Sequence, residues 1–543
     1  MMNRKWKRTL AVLLSVCLLF GSMIAPSAAE GQAAPDDTTA FFYDLGDKLL
    51  KGLLTGITAL IPSLPMPSSY TQSQDFYPGM DAFQTEPDSD AQWLLGYASG
   101  SLLTENVLDG KHYVSGGLVG AGQTVLIDKK TPTEIIDDQR VRVTALSDDS
   151  GNGTVLLISL DAFGITSKDV RRIREQLRTF AKANNIVSIN VSALHQHSVI
   201  DTLGMNGPLL EALFLNPFGN ITGLYAPYSG KNAGFMENLY KVTAETAKAA
   251  VRGMEPGALT YAKTDISEYI RDKRAPEVFD GDMHRLRFVP LSGGEDAKET
   301  WLVNLAIHCT GNGVENREIT GDFPYYMEKA VNEEAGANFQ LIQGAQLAIT
   351  LDTAPVQVEG ASQFENMVAY GTALGQKLAE IPAEDEEAVA PILNVRHKEY
   401  TVPVENPLHR LFFRLKMLDA TAVQKDWLGL ELELVTEIGY LELGEQLAVA
   451  IIPGELEPAL AFGGGLDAAQ SWTGEAFSFT SMQETVGGER ELLVFGLTND
   501  QTGYILLPND VHSFILFGNE ELNAVSSQAA PRALAAFEAL AGK

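Results

Sequence analysis

The sequence contains little cysteine and little histidine. Of 543 residues, two are cysteine and eight are histidine. Cys17 lies in an N-terminal apolar segment, which leaves Cys309 alone in the rest of the chain. A disulfide framework and a cysteine-based zinc site are therefore excluded. Because histidine is scarce, two histidines close together indicate a site rather than a compositional accident.

Positive charge and long apolar runs are also scarce. The chain has 40 Lys and Arg against 70 Asp and Glu, a formal net charge of −30. A polyanion would be repelled by this surface, so we expect no nucleic-acid partner. Beyond the N-terminus no run of apolar residues is long enough to span a bilayer, which predicts a soluble mature protein. The Gly-x-Ser-x-Gly, Walker and His-Glu-x-x-His motifs are absent as well.

The first 29 residues have the pattern of an export signal. Basic residues between Arg4 and Arg8 precede the apolar stretch "TLAVLLSVCLLFGSMIA", and "PSAAE" supplies small residues for cleavage near Ala29. This order of a basic, an apolar and a small-residue segment predicts a signal peptide and a secreted protein. An uncleaved membrane anchor is the alternative interpretation.

Residues 30–90 are predicted to form an N-terminal helix and a linker. The stretch 41–61 has apolar residues at helical spacing, and five prolines follow between residues 62 and 92. The helix either packs on the body of the protein or serves as a lid or a peripheral membrane contact. We expect a single catalytic body over residues 91–543.

The body begins with a strand, helix, strand order. "RVRVTAL" (140–146) and "TVLLISL" (154–160) are strand-like, a helix is predicted from an N-cap at Ser167, and "IVSINVSAL" forms the next strand. Further apolar runs end in polar or turn residues, and residues 205–255 are predicted to be a helix-rich insertion. These features indicate an α/β fold, with mixed β-sheets flanked by helices in layers.

His195 and His197 follow the strand that contains Ile189 and Val191. Side chains alternate along a strand, so both imidazoles would continue its buried apolar face. Imidazole is a common metal ligand, but buried histidines that bond to the backbone give the same pattern. The His-x-His motif alone leaves both interpretations open.

Three other apolar runs also end in a residue able to bind metal. His308, Glu455 and Tyr504 each lie at or just beyond the end of such a run. Ligands of α/β sheets bind at the carboxyl ends of strands. Two histidines and a carboxylate can hold a catalytic zinc with an open position. Each residue taken singly has an ordinary packing interpretation.

Together these stretches resemble the catalytic domain of the neutral/alkaline non-lysosomal ceramidase family. The resemblance rests on four motifs. The first is "LLISLDAFGI" followed by a helix and then "NVSALHQHS", and the others are "VNLAIHCTGNGVENREITGDFP", "AIIPGE" and "GLTNDQTGYILLP". They occur in the order and spacing of the family and cover much of residues 90–510. Four such motifs are far more specific than a single His-x-His.

The resemblance implies a ceramidase-like layered α/β catalytic domain that binds Zn²⁺. It places His197 beside the metal in contact with the substrate. Tyr504 would also stabilise the tetrahedral intermediate, and Asp322 and Asp161 would be supporting residues. The implied zinc ligands are His195, His308, Glu455 and Tyr504.

The chain departs from the family in one loop and at its end. "QGAQLAITLD" (343–352) stands where the family has Gly-Asp-x-Ser-Pro or Gly-Asp-x-Asn-Pro. Leu347 and Ala348 then replace Gly-Asp, and Thr350 takes the Ser or Asn position as a weakly supported catalytic hydroxyl. About 39 residues follow Tyr504, too few for the family's C-terminal immunoglobulin-like domain, so a closing helix is expected there.

These features predict a secreted zinc-dependent hydrolase that cleaves the amide bond of a ceramide-like N-acyl lipid. An apolar channel for the lipid would come from residues 205–240 or from the 41–61 helix. The altered loop keeps two alternatives open. One is a zinc hydrolase of another N-acyl or ester compound, and the other is a non-catalytic binding protein on the same scaffold.

Overall fold

The computed structural model describes residues 37–61, 66–116, 130–207, 215–217, 229–274, 277–293, 297–515 and 519–542. The predicted signal peptide, and residues 208–214 and 218–228 of the predicted 205–255 insertion, lie outside these ranges. The helix Ala233–Arg252 lies within the predicted insertion. Within the described ranges, no helix has the length and apolarity needed to cross a membrane.

The larger sheet runs through the first two thirds of the chain. The strands at both ends pair in parallel with their neighbours, and the pairs between them are antiparallel. Glu387–Ala388 adds a short pairing to Glu255–Asp265. The order of the main strands is Asn338–Gln343, Thr300–Leu305, Asp282–Pro290, Glu255–Asp265, Trp93–Ser101, Arg140–Ser147, Thr154–Leu160 and Ile186–Ala193.

A smaller sheet comes from the last third of the chain. Its order is Leu393–Pro403, Leu432–Leu443, Leu447–Ile451 and Glu491–Phe495, with Ala422–Gln424 also on Leu432–Leu443. Three two-stranded pairs lie outside both sheets. They are Glu134–Ile135 with Glu318–Ile319, Ile270–Asp272 with Ile349–Leu351, and Glu455–Leu456 with Tyr504–Ile505.

The two sheets pack face to face. Leu157 and Leu302 of the larger sheet share one buried cluster with Val449 and Phe495 of the smaller sheet. Burial of such apolar surface is the main force that holds the layers together. The predicted layered arrangement of mixed sheets is therefore confirmed.

Helices cover the outer faces of both sheets. Ser167–Ala183 and Ala233–Arg252 pack on one part of the larger sheet, and Asp322–Ala335 and Gln363–Ala379 pack on another. Ala529–Ala541, the predicted closing helix, packs on the smaller sheet. The shorter helices are Pro407–Arg414, Pro458–Phe462, Met482–Val486 and Asn519–Asn523.

The first long helix of the larger sheet shows how its cap differs from the sequence prediction. The helix begins at Ser167, but its N-cap is Thr166, whose hydroxyl accepts a hydrogen bond from the Asp169 N–H. The assignment of Ser167 as N-cap is therefore wrong by one residue. Both hydroxyl side chains suit a cap, so the sequence could not separate them.

The N-terminal helix, Asp37–Leu60, packs on Pro407–Arg414. Leu54 is buried there in a cluster with Leu411 and Phe412. The opposite face leaves Phe41, Leu45 and Leu49 exposed at four-residue intervals. The helix thus joins the body through one face and presents an apolar stripe to solvent through the other.

Candidate metal centre

A cavity of about 320 Å³ opens where strands of both sheets end. Its lining combines the residues that the motifs single out with apolar side chains such as Phe413, Leu418 and Leu434. The candidate site residues that line it are His195, His197, His308, Glu455 and Tyr504.

A sharp turn, rather than a continued strand, places His195 in this cavity. The strand Ile186–Ala193 stops two residues earlier, and His195 has a backbone φ of +57°. The expectation that His195 and His197 continue the phase of the strand is therefore wrong, although both are buried as expected. A positive φ is uncommon for a residue with a side chain, and such residues concentrate at functional sites.

The two histidine segments are held side by side by backbone contacts. The Gln196 N–H donates to the Ala162 carbonyl at 3.2 Å, and the His197 N–H donates to the Cys309 carbonyl at 3.2 Å. Cys309 is the residue after His308, so this contact brings the two segments to one place. Its buried thiol lies beside the site, and burial raises its pKa well above the ordinary value.

Backbone carbonyls orient two of the imidazoles. His195 Nδ1 lies 2.7 Å from the Phe163 carbonyl, and His308 Nδ1 lies 2.8 Å from the Ile349 carbonyl. A carbonyl only accepts, so each Nδ1 carries the proton and each Nε2 offers a lone pair. Metal-binding histidines are typically oriented by a hydrogen bond of this kind.

The Pro-Gly-Glu turn brings Glu455 next to Tyr504. These two residues are partners in a short parallel pair, and the Glu455 N–H donates to the Gly503 carbonyl at 3.1 Å. A Cβ at Gly454 would lie 2.6 Å from the Gly503 carbonyl oxygen, so only glycine permits this approach.

The side chains of His195, His308 and Glu455 meet as acceptors. Glu455 Oε2 lies 3.3 Å from His195 Nε2 and 3.0 Å from His308 Nε2. Tyr504 lies with its hydroxyl 3.4 Å from the same His308 nitrogen. Two imidazole lone pairs and a carboxylate oxygen repel one another unless a cation lies among them. This donor set fits Zn²⁺, which takes nitrogen and oxygen ligands from histidine and carboxylate.

The pKa values agree with this arrangement. Burial lowers the pKa of His195 to about 4, so the imidazole is neutral near pH 7. The pKa of Glu455 lies below its usual range despite burial, so the carboxylate is ionised near pH 7. Burial raises the pKa of Tyr504 well above the usual value. A neutral histidine and an ionised carboxylate are the forms that bind metal.

Within the part of the chain that the structure describes, neither ring nitrogen of His197 has a hydrogen-bond partner, although both are buried. Its ring centroid lies 4.8 Å from that of His195 and 6.1 Å from that of His308. One ring nitrogen from each of His195, His197 and His308 lies within 4.8 Å of the other two, which is close enough for the three to hold one metal ion. Burial holds the pKa of His197 well below its usual range. A buried imidazole without a hydrogen-bond partner costs free energy, so His197 is a suitable contact for a bound ligand.

The two predicted supporting aspartates are buried but do not line the cavity. Asp322 accepts hydrogen bonds from the N–H groups of Gly311, Asn312 and Phe323, and so shapes the segment after His308. Asp161 accepts from Arg142 at 2.8 Å. Their proposed role is therefore to hold the backbone around the site.

Thr350 lies in the strand Ile349–Leu351 and is not among the residues that line the cavity. It is buried and pairs with Arg271 in the short antiparallel ladder. The neighbouring carbonyl of Ile349 orients His308, and Ala348, with φ +60°, does line the cavity. The altered loop therefore contacts the site, while a catalytic role of the Thr350 hydroxyl stays a prediction.

Three contributors to the site escaped the sequence analysis. The Gln501 amide donates to Glu455 Oε1 at 3.0 Å, and its place within "TNDQTGY" could have suggested it. The orienting carbonyl of Phe163 carries no side-chain signal. Lys273 lines the cavity as well, and nothing in its surroundings in the sequence marked it.

The comparisons with known proteins give structural but not sequence matches. No family model matches the chain, and no curated protein matches it. A crystal structure of neutral ceramidase from Pseudomonas aeruginosa superposes with a TM-score of 0.59 at 14% identity. A structure of ceramidase complexed with C2 gives a TM-score of 0.60 at 14% identity. Each covers 84% of this chain and 76% of the other.

An identity of 14% over this length establishes likeness of fold. The resemblance predicted from the four motifs is confirmed at that level, because the same motifs converge on one cavity in the structure. The chain therefore has the α/β fold of neutral ceramidase.

Proposed function

We propose that this chain is a secreted zinc-dependent hydrolase that cleaves the amide bond of an N-acyl lipid of the ceramide class. The observation that carries the proposal is the meeting of His195 Nε2, His308 Nε2 and Glu455 Oε2, with the carboxylate oxygen 3.3 Å and 3.0 Å from the two nitrogens. Tyr504 is the proposed fourth ligand. The structural neighbours are ceramidases, which supports the amide-cleaving class.

Zinc, when bound, polarises a carbonyl and makes a water molecule nucleophilic near neutral pH. The residues of the chain supply orientation and proton transfer. Hydrolysis adds water across the amide, breaks the C–N bond, and releases a carboxylic acid and an amine. The attacking water must lose a proton and the leaving nitrogen must gain one, and His197, a neutral imidazole that lines the same cavity, can accept the first and pass it to the second. Tyr504 has a hydroxyl able to donate to the developing oxyanion.

The apolar residues of the cavity lining are evidence for a substrate with an acyl chain. Phe413, Leu418, Leu434 and Val525 line the cavity, and together they offer a surface for a hydrocarbon chain. The helix Pro407–Arg414 supplies Phe413 from one side and packs on the N-terminal helix from the other. The exposed stripe of Phe41, Leu45 and Leu49 is accordingly a proposed peripheral membrane contact.

The test is turnover of N-acyl amides by the zinc-loaded chain. We expect release of the free fatty acid from N-acyl sphingosines, with loss of turnover after chelation and recovery on adding zinc. An ester panel run in parallel tests the alternative substrate class. A chain that binds zinc and hydrolyses neither amides nor esters would favour the non-catalytic binding protein.

The membrane contact has its own measurement. Leu45→Glu with Leu49→Glu would place charge on the exposed stripe without touching the buried Leu54. We expect the double variant to float less with phospholipid vesicles while keeping its turnover of a micellar substrate. Equal flotation of both proteins would remove the helix as the contact.

A further inference from the structure

A basic side chain reaches the cavity without an anionic partner. Lys273 lines the same cavity as His197 and His308, and is exposed to solvent at its edge. Its backbone N–H donates to the carbonyl of Ala348, which also lines the cavity. Across the described ranges, no carboxylate lies within ion-pair distance of its amine.

The acidic residue nearest in this region is already engaged. Glu520 lines the cavity too, but its Oε2 lies 3.6 Å from Arg274 Nη1. The same guanidinium pairs with Asp510 and, at 3.0 Å, with Glu521. Arg274 therefore holds the neighbouring carboxylates and leaves the Lys273 ammonium available.

The pKa of Lys273 is consistent with an ammonium group that lacks an anionic partner. Partial burial lowers the pKa of Lys273, and the carboxylate of Glu520 opposes the change without cancelling it. The ammonium has therefore lost hydration without gaining an equivalent anion. A bound anion would supply the missing interaction, since opposite charges favour the charged form.

A second lysine adds positive potential on the same side. Lys130 donates to the Ser115 carbonyl at 3.1 Å and to the carbonyl of Val314, a residue that lines the cavity. Burial lowers the pKa of Lys130 to about 8. In a chain with a net charge of −30, two lysines beside one cavity supply local positive charge that can attract an anion.

We propose that the substrate carries an anionic group, a carboxylate or a phosphate, which binds the Lys273 ammonium while the scissile amide lies near His197. This inference rests on the proposed amidase function. Among N-acyl lipids, it favours those with an acidic head group. Lys273 is then a specificity-determining residue, and the neutral ceramide head group is the poorer fit.

Three probes with one acyl chain test the proposal. N-lauroylethanolamine is neutral, N-lauroylglycine carries a carboxylate, and the O-phosphate of N-lauroylethanolamine carries a phosphate. We expect kcat/KM of the zinc-loaded chain to be at least tenfold higher for one or both anionic probes than for the neutral one. Lys273→Glu should remove that preference by lowering kcat/KM for the anionic probes at least tenfold more than for the neutral probe. Preference for a single anionic probe distinguishes carboxylate from phosphate.

Lys329→Glu is the matched control, because it makes the same charge reversal on the helix Asp322–Ala335, outside the cavity lining. It should behave as the unmodified chain. If the neutral and anionic probes are hydrolysed equally, or if Lys273→Glu changes both alike, the inference fails while the amidase function stands.

Binding gives a readout that does not need turnover. Calorimetric titration with N-lauroylglycine and N-lauroylethanolamine should show a weaker Kd for the carboxylate alone in Lys273→Glu. If no probe is hydrolysed but this difference appears, the amidase function fails and the anion site stands. If the unmodified chain and Lys273→Glu bind both probes with the same Kd values, the anion site fails.

Discussion

Glu455 Oε2 lies 3.0 Å from His308 Nε2, and the imidazole proton is on the other nitrogen, directed at the Ile349 carbonyl. The contact therefore joins two acceptors. Such a contact is unfavourable in the empty protein and favourable once a cation binds both atoms. In the proposed function, metal binding at this site would offset the repulsion between these two acceptors.

Glu455→Gln should consequently change stability in opposite directions with and without zinc. A glutamine amide can donate to His308 Nε2, so the metal-free variant should be more stable by about 1 kcal/mol. At a hundredfold excess of zinc over Kd, binding stabilises the unmodified chain by about 3 kcal/mol, so it should then be more stable than a variant that binds no zinc by about 2 kcal/mol. Urea unfolding with a chelator and with zinc measures both. A glutamine variant destabilised equally under both conditions would contradict the acceptor contact.

His197→Gln should separate catalysis from metal binding. Loss of a general acid typically lowers kcat by about 10²- to 10⁴-fold, and zinc content should stay near that of the unmodified chain. His195→Gln makes the same substitution two positions earlier in the chain and should lose zinc. Measuring metal content and kcat on both variants decides the roles. Loss of zinc from His197→Gln would make His197 a ligand instead.

The Thr350 hydroxyl is tested by two substitutions, one that removes the hydroxyl and one that keeps it. If it orients the amide, Thr350→Val should lower kcat at unchanged zinc content and Thr350→Ser should retain most of it. Both should fold, because the side chain is buried in a short strand that either residue can adopt. Unchanged kcat in Thr350→Val would remove the residue from the mechanism.

His397 predicts how stability changes with pH away from the metal centre. Its Nε2 lies 2.8 Å from the Ser188 hydroxyl, and burial lowers its pKa to about 4. The unfolded chain, with a histidine pKa near 6.5, binds the proton first as pH falls. Stability from this group is thus complete above about pH 6.5 and is lost on going down to about pH 4. The loss is about 2 kcal/mol between pH 7 and pH 5.

Urea unfolding at pH 7 and pH 5 measures this loss. His397→Gln keeps a side chain able to bond Ser188 but cannot titrate, so its stability should fall less between the two pH values. An identical pH dependence in the variant and in the unmodified chain would assign the effect to other groups.

Much of the fold was predictable because its strands are long and apolar. The predicted strand at 140–146 is found at Arg140–Ser147, and that at 154–160 is found at Thr154–Leu160. Their pairing with distant strands was not predictable, since apolar strands buried on both faces carry no register signal. The face-to-face packing of Val449 against residues more than 200 positions away is of this kind.

The candidate site was predicted in composition but not in geometry. His195, His308, Glu455 and Tyr504 were chosen from motifs, and the structure brings them into one cavity. The left-handed turn at His195 has no sequence signal, because glycine and asparagine are the residues that usually mark positive φ. Lys273 was missed because its meaning depends on which carboxylates Arg274 holds, a relationship visible only in three dimensions.

The zinc content of the unmodified chain against His308→Ala tests the central claim most directly. His397→Gln serves as the control, because it removes a buried histidine outside the cavity. We expect one zinc per chain in the unmodified protein and in the control, and much less than one zinc per chain in His308→Ala. Equal zinc in all three proteins, or none in any of them, would contradict the central claim.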